Sequence, residues 1–446
     1  MRALVLEISL TQKKTMTKIK NSEFIHLHNH TEFSAFDGLN KMSNFPYLAR
    51  KMGFKALGVT DHGTVGGLVK FFQECTKSYD KNGNKIEYDP IIPILGCEFY
   101  LAKDRFAKSK KEQIDGRKGN RHLVLIAKNW KGFQNLCTLS EKSWTEGFYN
   151  DPRIDFSLLE QYHEGLICST ACLSSIVNSN LLHGRYDHAK RIATKLKDLF
   201  GDDFYFEVMY HGLDAERYII PDIFKLADSL GVKVVATNDC HYSCKDDGAS
   251  HEVLMCMSTS RCIHDPKRLK FPYHEFYLKS AEEMADIFSD RMDSIYNTMD
   301  IAAKVDYKDI SKNFGGMRLP KFPMPENFSD PHDYLEYVAW QGLKDLGSEH
   351  SEKHIDRLRL ELDDVKIAKL NNNYDFATYF LIVRDYIQFA KSKGILTGCG
   401  RGSGFGSLLL KTLGITYGVD PIEHNLLWER FLGFDTKKFV REQDFV

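Results

Sequence analysis

The chain has 446 residues, which at about 150 residues per domain predicts two or three domains. Its 60 basic and 61 acidic residues give a formal net charge of −1, which excludes a globally basic nucleic-acid binder but allows a local basic patch. The 43% hydrophobic and 27% charged content is typical of a folded globular protein. Ten irregularly spaced cysteines favour a reducing compartment, the cytoplasm, over a disulfide framework, and no apolar run approaches the about 20 residues of a membrane-spanning helix.

The first 22 residues hold five basic side chains without a long apolar run, which predicts a poorly ordered leader rather than a signal peptide. From residue 24 onward, short apolar runs alternate with amphipathic segments. The runs are Phe24–Leu27, Ala56–Val59, Ile91–Phe99, Leu123–Ala127, Gly165–Cys168, Phe204–Met209 and Val232–Ala236. This alternation predicts a parallel sheet covered by helices, either a closed barrel one strand short of eight or an open doubly wound sheet.

Beyond Val253 the pattern becomes mainly helical. Four of the 12 prolines fall between residues 315 and 331, a composition typical of a domain joint. The run Thr378–Lys393 predicts an amphipathic helix that ends at Gly394. Next, Ile395–Thr397 predicts a short strand that leads into a glycine-rich loop and a further helix. We therefore expect a second domain of α+β character.

Side chains of metal-binding type lie at or just beyond the ends of several predicted strands. They are His28, His30, Asp37, His62, Glu98, Cys172, Asp239 and His241. In parallel α/β barrels the carboxyl ends of the strands meet at one face, so these side chains are expected to converge there. His28 and His30 are two residues apart on a strand and point to the same side. Imidazoles with carboxylates suit zinc, manganese or iron, and two or three such ions can support phosphoester hydrolysis.

Residues 101–121 form a basic segment between Glu98 and the next apolar run. Eight basic residues against three acidic ones give this segment a net charge of +5. A basic segment close to the metal-binding side chains predicts contact with a phosphate backbone. The alternative interpretation is a solvated surface loop.

The metal-binding residues stand in recognisable motifs. The segment His26–Ser34, His-Leu-His-Asn-His-Thr-Glu-Phe-Ser, followed by Phe36-Asp37-Gly38, strongly resembles the opening of the polymerase-and-histidinol-phosphatase (PHP) domain. The form is the one found at the amino terminus of bacterial replicative DNA polymerase III alpha subunits. The segments Thr60–Gly63, Gly96–Glu98 and Asn238–His241 resemble the later motifs of the same family.

This resemblance implies a complete metal site. It carries the family's nine metal-binding positions onto the eight residues named above and onto His122, which opens its apolar run and is not selected by the strand-end argument. It further implies two or three divalent ions of zinc, manganese or iron in a trinuclear site, with 3′→5′ exonuclease or phosphoesterase activity. The implied fold is a distorted (β/α)7 barrel.

The glycine-rich loop Gly398–Ser407 lets backbone amides approach a phosphate closely, although a tight turn alone explains it equally well. In context the loop resembles the palm of the same polymerase family, as do the segments Tyr379–Asp385, Leu413–Thr416 and Leu427–Leu432. In that family the glycine–serine element holds the triphosphate of the incoming nucleotide. The resemblance thus implies nucleotide binding by Gly400, Arg401, Gly402, Ser403 and Ser407.

The last residues depart from the family pattern. Relatives carry a Pro-Asp-x-Asp-x-Asp-Phe motif whose aspartates hold catalytic magnesium, whereas this chain ends in residues 439–446, Phe-Val-Arg-Glu-Gln-Asp-Phe-Val. Glu442 and Asp444 are the candidate replacements for these catalytic carboxylates, on a poor alignment. Because losing a metal-positioning carboxylate usually abolishes phosphoryl transfer, we predict that the chain alone does not polymerise DNA. A second polymerase chain would then supply the remaining parts, unless the chain is a truncated product.

Three hypotheses for the function follow. The first is the amino-terminal fragment of a replicative DNA polymerase of the DNA polymerase III alpha type, which acts on DNA and deoxynucleoside triphosphates and carries an active PHP exonuclease. The second is a stand-alone metal-dependent phosphoesterase or exonuclease. The third is a structural module held by metal ions that supports a partner polymerase chain. All three predict a cytoplasmic protein without membrane association.

The predicted fold class is α/β. The expected parts are a flexible leader at residues 1–22, a PHP barrel at 23–285, a connecting helix with a proline-rich joint at 286–331, and a partial α+β palm at 332–446.

Overall fold

The computed structural model describes residues 19–80, 82–108, 113–114, 117–118, 120–314, 319–372 and 374–432. The chain divides into two compact units, Met1–Phe314 and Gly315–Val446. This division falls inside the segment 286–331, which the sequence analysis assigned to a connection. Of the expected leader, residues 19–22 lie within the described part.

The first unit is built on a mixed sheet. Its strands are β1 (Ala56–Val59), β2 (Ile92–Leu101), β3 (Gln113–Ile114), β4 (Arg117–Lys118), β5 (Arg121–Ala127), β6 (Arg153–Ile154), β7 (Leu166–Ser169), β8 (Phe204–Val208) and β9 (Val234–Ala236). The main sheet has the order β1-β2-β5-β7-β8-β9 with β6 beside β2, and β3 pairs with β4 separately. Within the main sheet, neighbouring strands are parallel except at β5, which is antiparallel to both β2 and β7. The separate pair β3–β4 is antiparallel. The prediction of an all-parallel sheet is therefore wrong at β5.

The first predicted strand, Phe24–Leu27, forms no ladder of its own but links the two edges of the sheet. His26 O accepts a hydrogen bond from Gly58 N in β1 at 2.8 Å, and His30 N donates to Cys240 O beyond β9 at 2.8 Å. A Cβ atom at Gly58 would lie 2.4 Å from Leu27 O, so this close approach requires glycine. The sheet is thereby curled into a distorted barrel, in agreement with the predicted fold class.

Helices cover the barrel. They are α1 (Phe45–Met52), α2 (Leu68–Thr76), α3 (Trp130–Thr145), α4 (Phe156–Tyr162), α5 (Asn178–Leu182), α6 (Tyr186–Phe200), α7 (Asp214–Leu230), α8 (Gly248–Ser258), α9 (Ala281–Ile287), α10 (Met292–Lys304) and α11 (Tyr307–Ser311), with 3-10 helices at Asn21–Glu23, Gly201–Asp203 and Lys245–Asp247. Each long helix buries one apolar face, for example Leu136 and Leu139 of α3 and Leu196 of α6. Burying such a side chain contributes about 1.5–3 kcal/mol to folding. The core under the helices fixes where the strands end, and therefore where the site lies.

In the second unit, every regular element among the described residues, 319–372 and 374–432, is a helix. Its helices are α12 (Pro331–Asp345), α13 (Glu352–Asn372), α14 (Phe376–Ser392), α15 (Leu408–Thr412) and α16 (Glu429–Leu432), with a 3-10 helix at Gly402–Gly406. The helix predicted at Thr378–Lys393 is confirmed as α14. The strand predicted at Ile395–Thr397 is wrong, because Leu396 is 98% exposed and this segment has no neighbouring strand among the described residues.

Buried side chains from all five helices form the core of the second unit, including Leu335, Leu362, Phe380, Leu409 and Leu432. The residues after α14 and the first part of the glycine-rich loop, through Ser403, are largely exposed and lie outside this core. None of the described helices combines the length and apolar character that crossing a membrane would require.

Candidate metal centre

The structure brings the nine predicted metal-binding residues together at one mouth of the barrel. At its deep end, Asp239 Oδ1 lies 3.3 Å from His28 Nε2 and 3.0 Å from His30 Nε2. Beside them, Glu98 contacts His62 Nδ1 through Oε2 at 2.7 Å and His122 Nδ1 through Oε1 at 2.9 Å. Glu98 is 1% exposed and Asp239 is 8% exposed, so these contacts are buried.

The remaining members of the set complete the rim. Asp37 Oδ2 accepts a hydrogen bond from His62 Nε2 at 2.9 Å and lies 3.5 Å from His241 Nε2. On the other side, Cys172 Sγ lies 3.4 Å from His122 Nδ1. The mouth therefore presents five imidazoles, three carboxylates and a thiol to one another.

The antiparallel course of β5 explains how His122 reaches the mouth. His122 is the second residue of β5 and pairs with Tyr100 near the end of β2. Because β5 runs against its neighbours, its first residues lie where the parallel strands have their last. The strand-end argument missed His122 because it assumed that every strand runs in the same direction.

Several buried atoms of the mouth have no hydrogen-bond partner. They are His28 Nε2, His30 Nε2, His62 Nδ1, Glu98 Oε2 and Asp239 Oδ1. His62 Nδ1 and Glu98 Oε2 are 2.7 Å apart, yet neither has a hydrogen bond of acceptable geometry. A buried polar group left unsatisfied costs about 1–3 kcal/mol, so a cluster of five calls for a ligand that takes all of them.

A divalent metal ion fits these atoms. Three groups of residues each have ligand atoms that all lie within 4.8 Å of one another. They are His30, His62 and His241; His28, His30 and Glu98; and His62, Glu98 and His122. Shared members among the groups are what a site for several ions requires. Imidazole nitrogen with carboxylate oxygen is a donor set for zinc, manganese or iron.

The charges of the mouth are strongly coupled. Burial alone would lower the pKa of His62, but the carboxylates of Glu98 and Asp37 raise it to about 10. Burial alone would also lower the pKa of His241, but the nearby carboxylates, above all that of Asp37, raise it to about 9. For His30, burial and the two neighbouring imidazoles lower the pKa to about 3. Protons on His62 and His241 thus balance the carboxylates, and an ion that binds there must displace them.

Two functional-site residues were missed by the sequence analysis. Glu207 in β8 is buried beneath His28, with its Oε1 2.6 Å from His28 Nδ1. The sequence does mark Glu207 as unusual, since it is an acidic residue inside the apolar run Phe204–Met209. His251 in α8 is also buried, and its unpartnered Nε2 lies 3.7 Å from Asp37 Oδ1. A single histidine in a helix offers no spacing pattern by which to find it.

His30 is held from behind by polar groups of the loop that follows it and of the loop after β1. Its Nδ1 lies 3.0 Å from Ser34 Oγ, and that hydroxyl donates to Asp61 Oδ1 at 2.7 Å. Asp61 also accepts from Thr31 N at 2.6 Å. These contacts orient the ring so that Nε2 faces the mouth.

The basic segment 101–121 is described only in part, and Lys110 and Lys111 lie outside the described residues. Arg105 is engaged internally, since it donates to Glu146 Oε2 at 2.8 Å and to Asp155 at 3.0 Å. These contacts hold Arg105 inside the protein, so they do not favour its contact with a phosphate backbone.

In the second unit the glycine-rich loop has two different faces. Arg401, Gly402 and Ser403 are exposed, and Gly400 and Arg401 border a cavity of about 410 Å³. Ser407 is fully buried. Its hydroxyl donates to Glu361 Oε2 at 2.8 Å and accepts from Leu410 N at 3.0 Å. The structure thus separates Ser407 from the other predicted nucleotide-binding residues.

Glu361 occupies the position at which a phosphate would meet the start of α15. Its carboxylate accepts hydrogen bonds from Leu408 N at 3.0 Å and Leu409 N at 2.8 Å, and it pairs with Arg357 at 2.7 Å. The first two backbone donors of α15, directly after the glycine-rich loop, are thus bonded by the chain itself. The predicted catalytic carboxylates Glu442 and Asp444 lie outside the described residues.

Comparisons with known proteins agree with these two units. The PHP domain family matches residues 26–211, and the family described as bacterial DNA polymerase III alpha NTPase domain matches residues 333–440. The chain is 39% identical over 411 residues to the DNA polymerase III subunit alpha of Borreliella burgdorferi, and 38% identical over 439 residues to that of Helicobacter pylori. These alignments cover 92% and 93% of this chain and 34% of each relative.

A more distant relative gives the same result: the DNA polymerase III subunit alpha of Aquifex aeolicus is 35% identical over 427 residues. The chain therefore spans about a third of the length of the curated relatives it matches. It carries a PHP domain followed by a bacterial DNA polymerase III alpha NTPase domain, and the resemblance to bacterial DNA polymerase III alpha subunits inferred from its motifs is confirmed.

Proposed function

We propose that the chain is the amino-terminal part of a replicative DNA polymerase of the DNA polymerase III alpha type, and that its metal centre hydrolyses phosphodiester bonds at the 3′ end of DNA. The observation that carries this proposal is the set of five buried, unpartnered ligand atoms at the barrel mouth. A purely structural mouth would satisfy such atoms with its own hydrogen bonds. DNA is the proposed substrate because the matching relatives are named as DNA polymerase subunits.

The residues of the mouth divide into holding and orienting roles. His28, His30 and Glu98 would hold an ion at the deep end, and His62, Glu98 and His122 would hold one beside it. Asp239 lies against both deep imidazoles and would share that first ion. Bound divalent ions would polarise a phosphate oxygen and lower the pKa of an attacking water. The rim carboxylate of Asp37 is the most exposed of the three, at 28% of its side chain, and would be the first of them to meet a substrate from solvent.

Polymerisation is proposed for a complete polymerase that contains these residues, since the chain spans about a third of its relatives. There the exposed face Arg401–Ser403 would contact the triphosphate of a deoxynucleotide, with magnesium as the ion. A second polymerase chain remains the proposed partner, and the cytoplasm the proposed location.

The test is degradation of 5′-labelled single-stranded DNA by the purified chain, after chelation and reloading with manganese or zinc. We expect a ladder of products shortened from the 3′ end. His28→Ala should abolish the ladder, whereas His264→Ala, which alters an exposed histidine outside the mouth, should leave it unchanged.

Two results would contradict the proposal. A ladder of equal intensity from His28→Ala would assign the activity to another site or to a contaminant. No ladder from the wild-type chain with its metal fully bound would favour the third hypothesis, a structural module held by metal ions.

A further inference from the structure

Glu207 is a buried carboxylate at the deep end of the mouth that is not among the nine predicted metal-binding residues. It lies in β8 with 1% of its surface exposed. Its Oε1 accepts hydrogen bonds from His28 Nδ1 and Thr237 Oγ1, both at 2.6 Å, and its Oε2 accepts from Ser169 Oγ. One carboxylate therefore ties together the ends of β7 and β8, the residue after β9, and the segment that closes the barrel.

The contact with His28 determines which ring nitrogen is free. When Nδ1 donates to a carboxylate, the lone pair available for an ion is on Nε2. That Nε2 lies 3.3 Å from Asp239 Oδ1 and 3.5 Å from Glu98 Oε1, and it has no hydrogen-bond partner. The ring is thus held at one nitrogen and presents the other to the mouth.

Glu207 supports His28 more strongly than Ser34 supports His30. The support for His30 is a neutral hydroxyl at 3.0 Å, whereas the support for His28 is a carboxylate at 2.6 Å. Hydrogen bonds to an ionised acceptor are shorter and roughly twice as strong as neutral ones. A carboxylate behind a metal-binding imidazole also increases the basicity of its free nitrogen.

We propose that Glu207 is a positioning residue for metal binding, which fixes the ring of His28 with Nε2 directed into the mouth and makes that nitrogen a stronger ligand. This inference rests on the proposed function in one respect, the assignment of His28 as a metal ligand. It does not require that the centre cleaves DNA.

The experiment compares metal affinity in the full chain with Glu207→Ala and Glu207→Gln. Apparent dissociation constants for manganese and zinc are measured by chelator competition, metal per chain by elemental analysis, and stability of the metal-free protein by urea unfolding. Loss of an outer carboxylate typically weakens metal affinity about 10–100-fold, and we expect this for Glu207→Ala. Glu207→Gln should lose less affinity, because its amide oxygen still accepts from Nδ1.

Asp155→Ala is the matched control for a purely structural effect. Asp155 is also buried, at 6% exposure, and its carboxylate has three partners, Arg105, Ser157 and Leu158 N, none of them a predicted metal ligand. We expect this variant to unfold at lower urea concentration while its metal affinity stays unchanged.

Equal losses of metal affinity in Glu207→Ala and Asp155→Ala would overturn the proposal, since both would then reflect general loosening. Unchanged affinity in Glu207→Ala would also overturn it. Should Glu207→Ala not fold, Ser169→Ala removes one hydrogen bond to the same carboxylate, and a smaller loss of affinity is expected. A wild-type chain that binds metal but does not cleave DNA would contradict the nuclease proposal and leave this comparison intact.

Discussion

The metal mouth and the glycine-rich loop treat their buried polar atoms in opposite ways. At the mouth, His28 Nε2, His30 Nε2 and Asp239 Oδ1 are buried without hydrogen-bond partners. Behind the loop, the buried hydroxyl of Ser407 is bonded to the equally buried carboxylate of Glu361. The mouth thus offers buried ligand atoms to a metal ion, whereas the buried side of the loop is completed by the chain itself.

This difference separates two patterns that look alike in a sequence. Both regions place polar residues after an apolar run, and both were assigned to ligand binding. In the second unit, however, backbone donors at the start of α15 bond to Glu361, so only the outer face around Arg401 is open to a ligand. A ligand should therefore stabilise the mouth strongly and the loop weakly.

The largest expected effect is loss of metal from the mouth. Asp239→Asn combined with His241→Ala removes a carboxylate and an imidazole that lie against His28, His30 and Asp37. We expect metal to raise the melting temperature of the wild-type chain, because metal binding is coupled to folding. The double variant should lose most bound metal and this rise with it.

Elemental analysis and thermal unfolding with and without manganese measure this effect. Asp246→Asn, an exposed carboxylate in the following 3-10 helix, serves as the control and should keep both properties. An unchanged metal content in the double variant would show that the ligand set is wrong.

The second effect concerns the carboxylate that completes the loop from inside. Glu361→Ala leaves the buried donors of Ser407, Leu408 and Leu409 without an acceptor and Arg357 without its ion pair. Each buried donor left without an acceptor costs about 1–3 kcal/mol in free energy of unfolding, so we expect a total loss of about 3 kcal/mol.

Urea unfolding followed by tryptophan fluorescence in a chain with Trp130 and Trp144 replaced by Phe measures the loss, because the remaining tryptophans, among them the buried Trp428, lie in the second unit. Asp363→Ala removes an exposed carboxylate two positions away and should change stability little. Metal content should be unchanged in both variants. A shift no larger than that of Asp363→Ala would mean that Glu361 does not hold the loop.

The comparison also shows what local patterns in a sequence can predict. Eight of the nine residues at the mouth follow from strand ends, because the parallel strands do place their last residues at one face. His122 does not follow, since the direction of β5 is decided by pairing with β2 and β7 and not by its own residues. The family motifs supplied His122 where the geometry could not.

Contacts between segments that are far apart in the chain could not be predicted from the sequence either. The pairing of Glu361 with Ser407 spans 46 residues, and that of His28 with Glu207 spans 179. The strand predicted at Ile395–Thr397 had suitable residues, but β structure needs a neighbouring strand, and the described residues contain none there. Which polar residues satisfy each other was therefore not accessible from sequence spacing.

A smaller effect depends on pH. Burial alone would raise the pKa of Asp420, but hydrogen bonds from Lys411, Ile422 N and His354 hold it well below its usual value. Because the folded chain binds the carboxylate form more strongly, Asp420 stabilises the protein above the unfolded pKa of about 3.9. This contribution is lost as the pH falls toward the lower folded pKa.

Asp420→Asn should therefore reduce the free energy of unfolding at pH 7 by about 1.5 kcal/mol, the scale of a hydrogen bond to a charged group. The gap between variant and wild type should narrow between pH 4 and pH 3, as measured by urea midpoints at each pH. Asp363→Asn provides an exposed control. A gap that stays constant down to pH 3 would show that the ionised carboxylate is not the stabilising form.

The smallest expected effect on stability comes from the open face of the loop, and it tests the comparison most directly. Arg401→Ala alters an exposed side chain, so the free energy of unfolding should change by less than about 0.5 kcal/mol. If the open face contacts the triphosphate, the same variant should weaken deoxynucleotide binding several-fold in a polymerase that contains these residues, because a charge-assisted contact is lost.

Ser407→Ala is its counterpart on the buried face. Ser407 is bonded to Glu361 and Leu410 N, so this variant should lower the free energy of unfolding by about 1–2 kcal/mol. Its nucleotide affinity, measured at a temperature where the variant is folded, should stay unchanged. Equal nucleotide affinity in wild type and Arg401→Ala would contradict binding at the open face. A loss confined to Ser407→Ala would mean that the nucleotide replaces Glu361 at the start of α15, and that the loop, like the mouth, takes its ligand on the buried side.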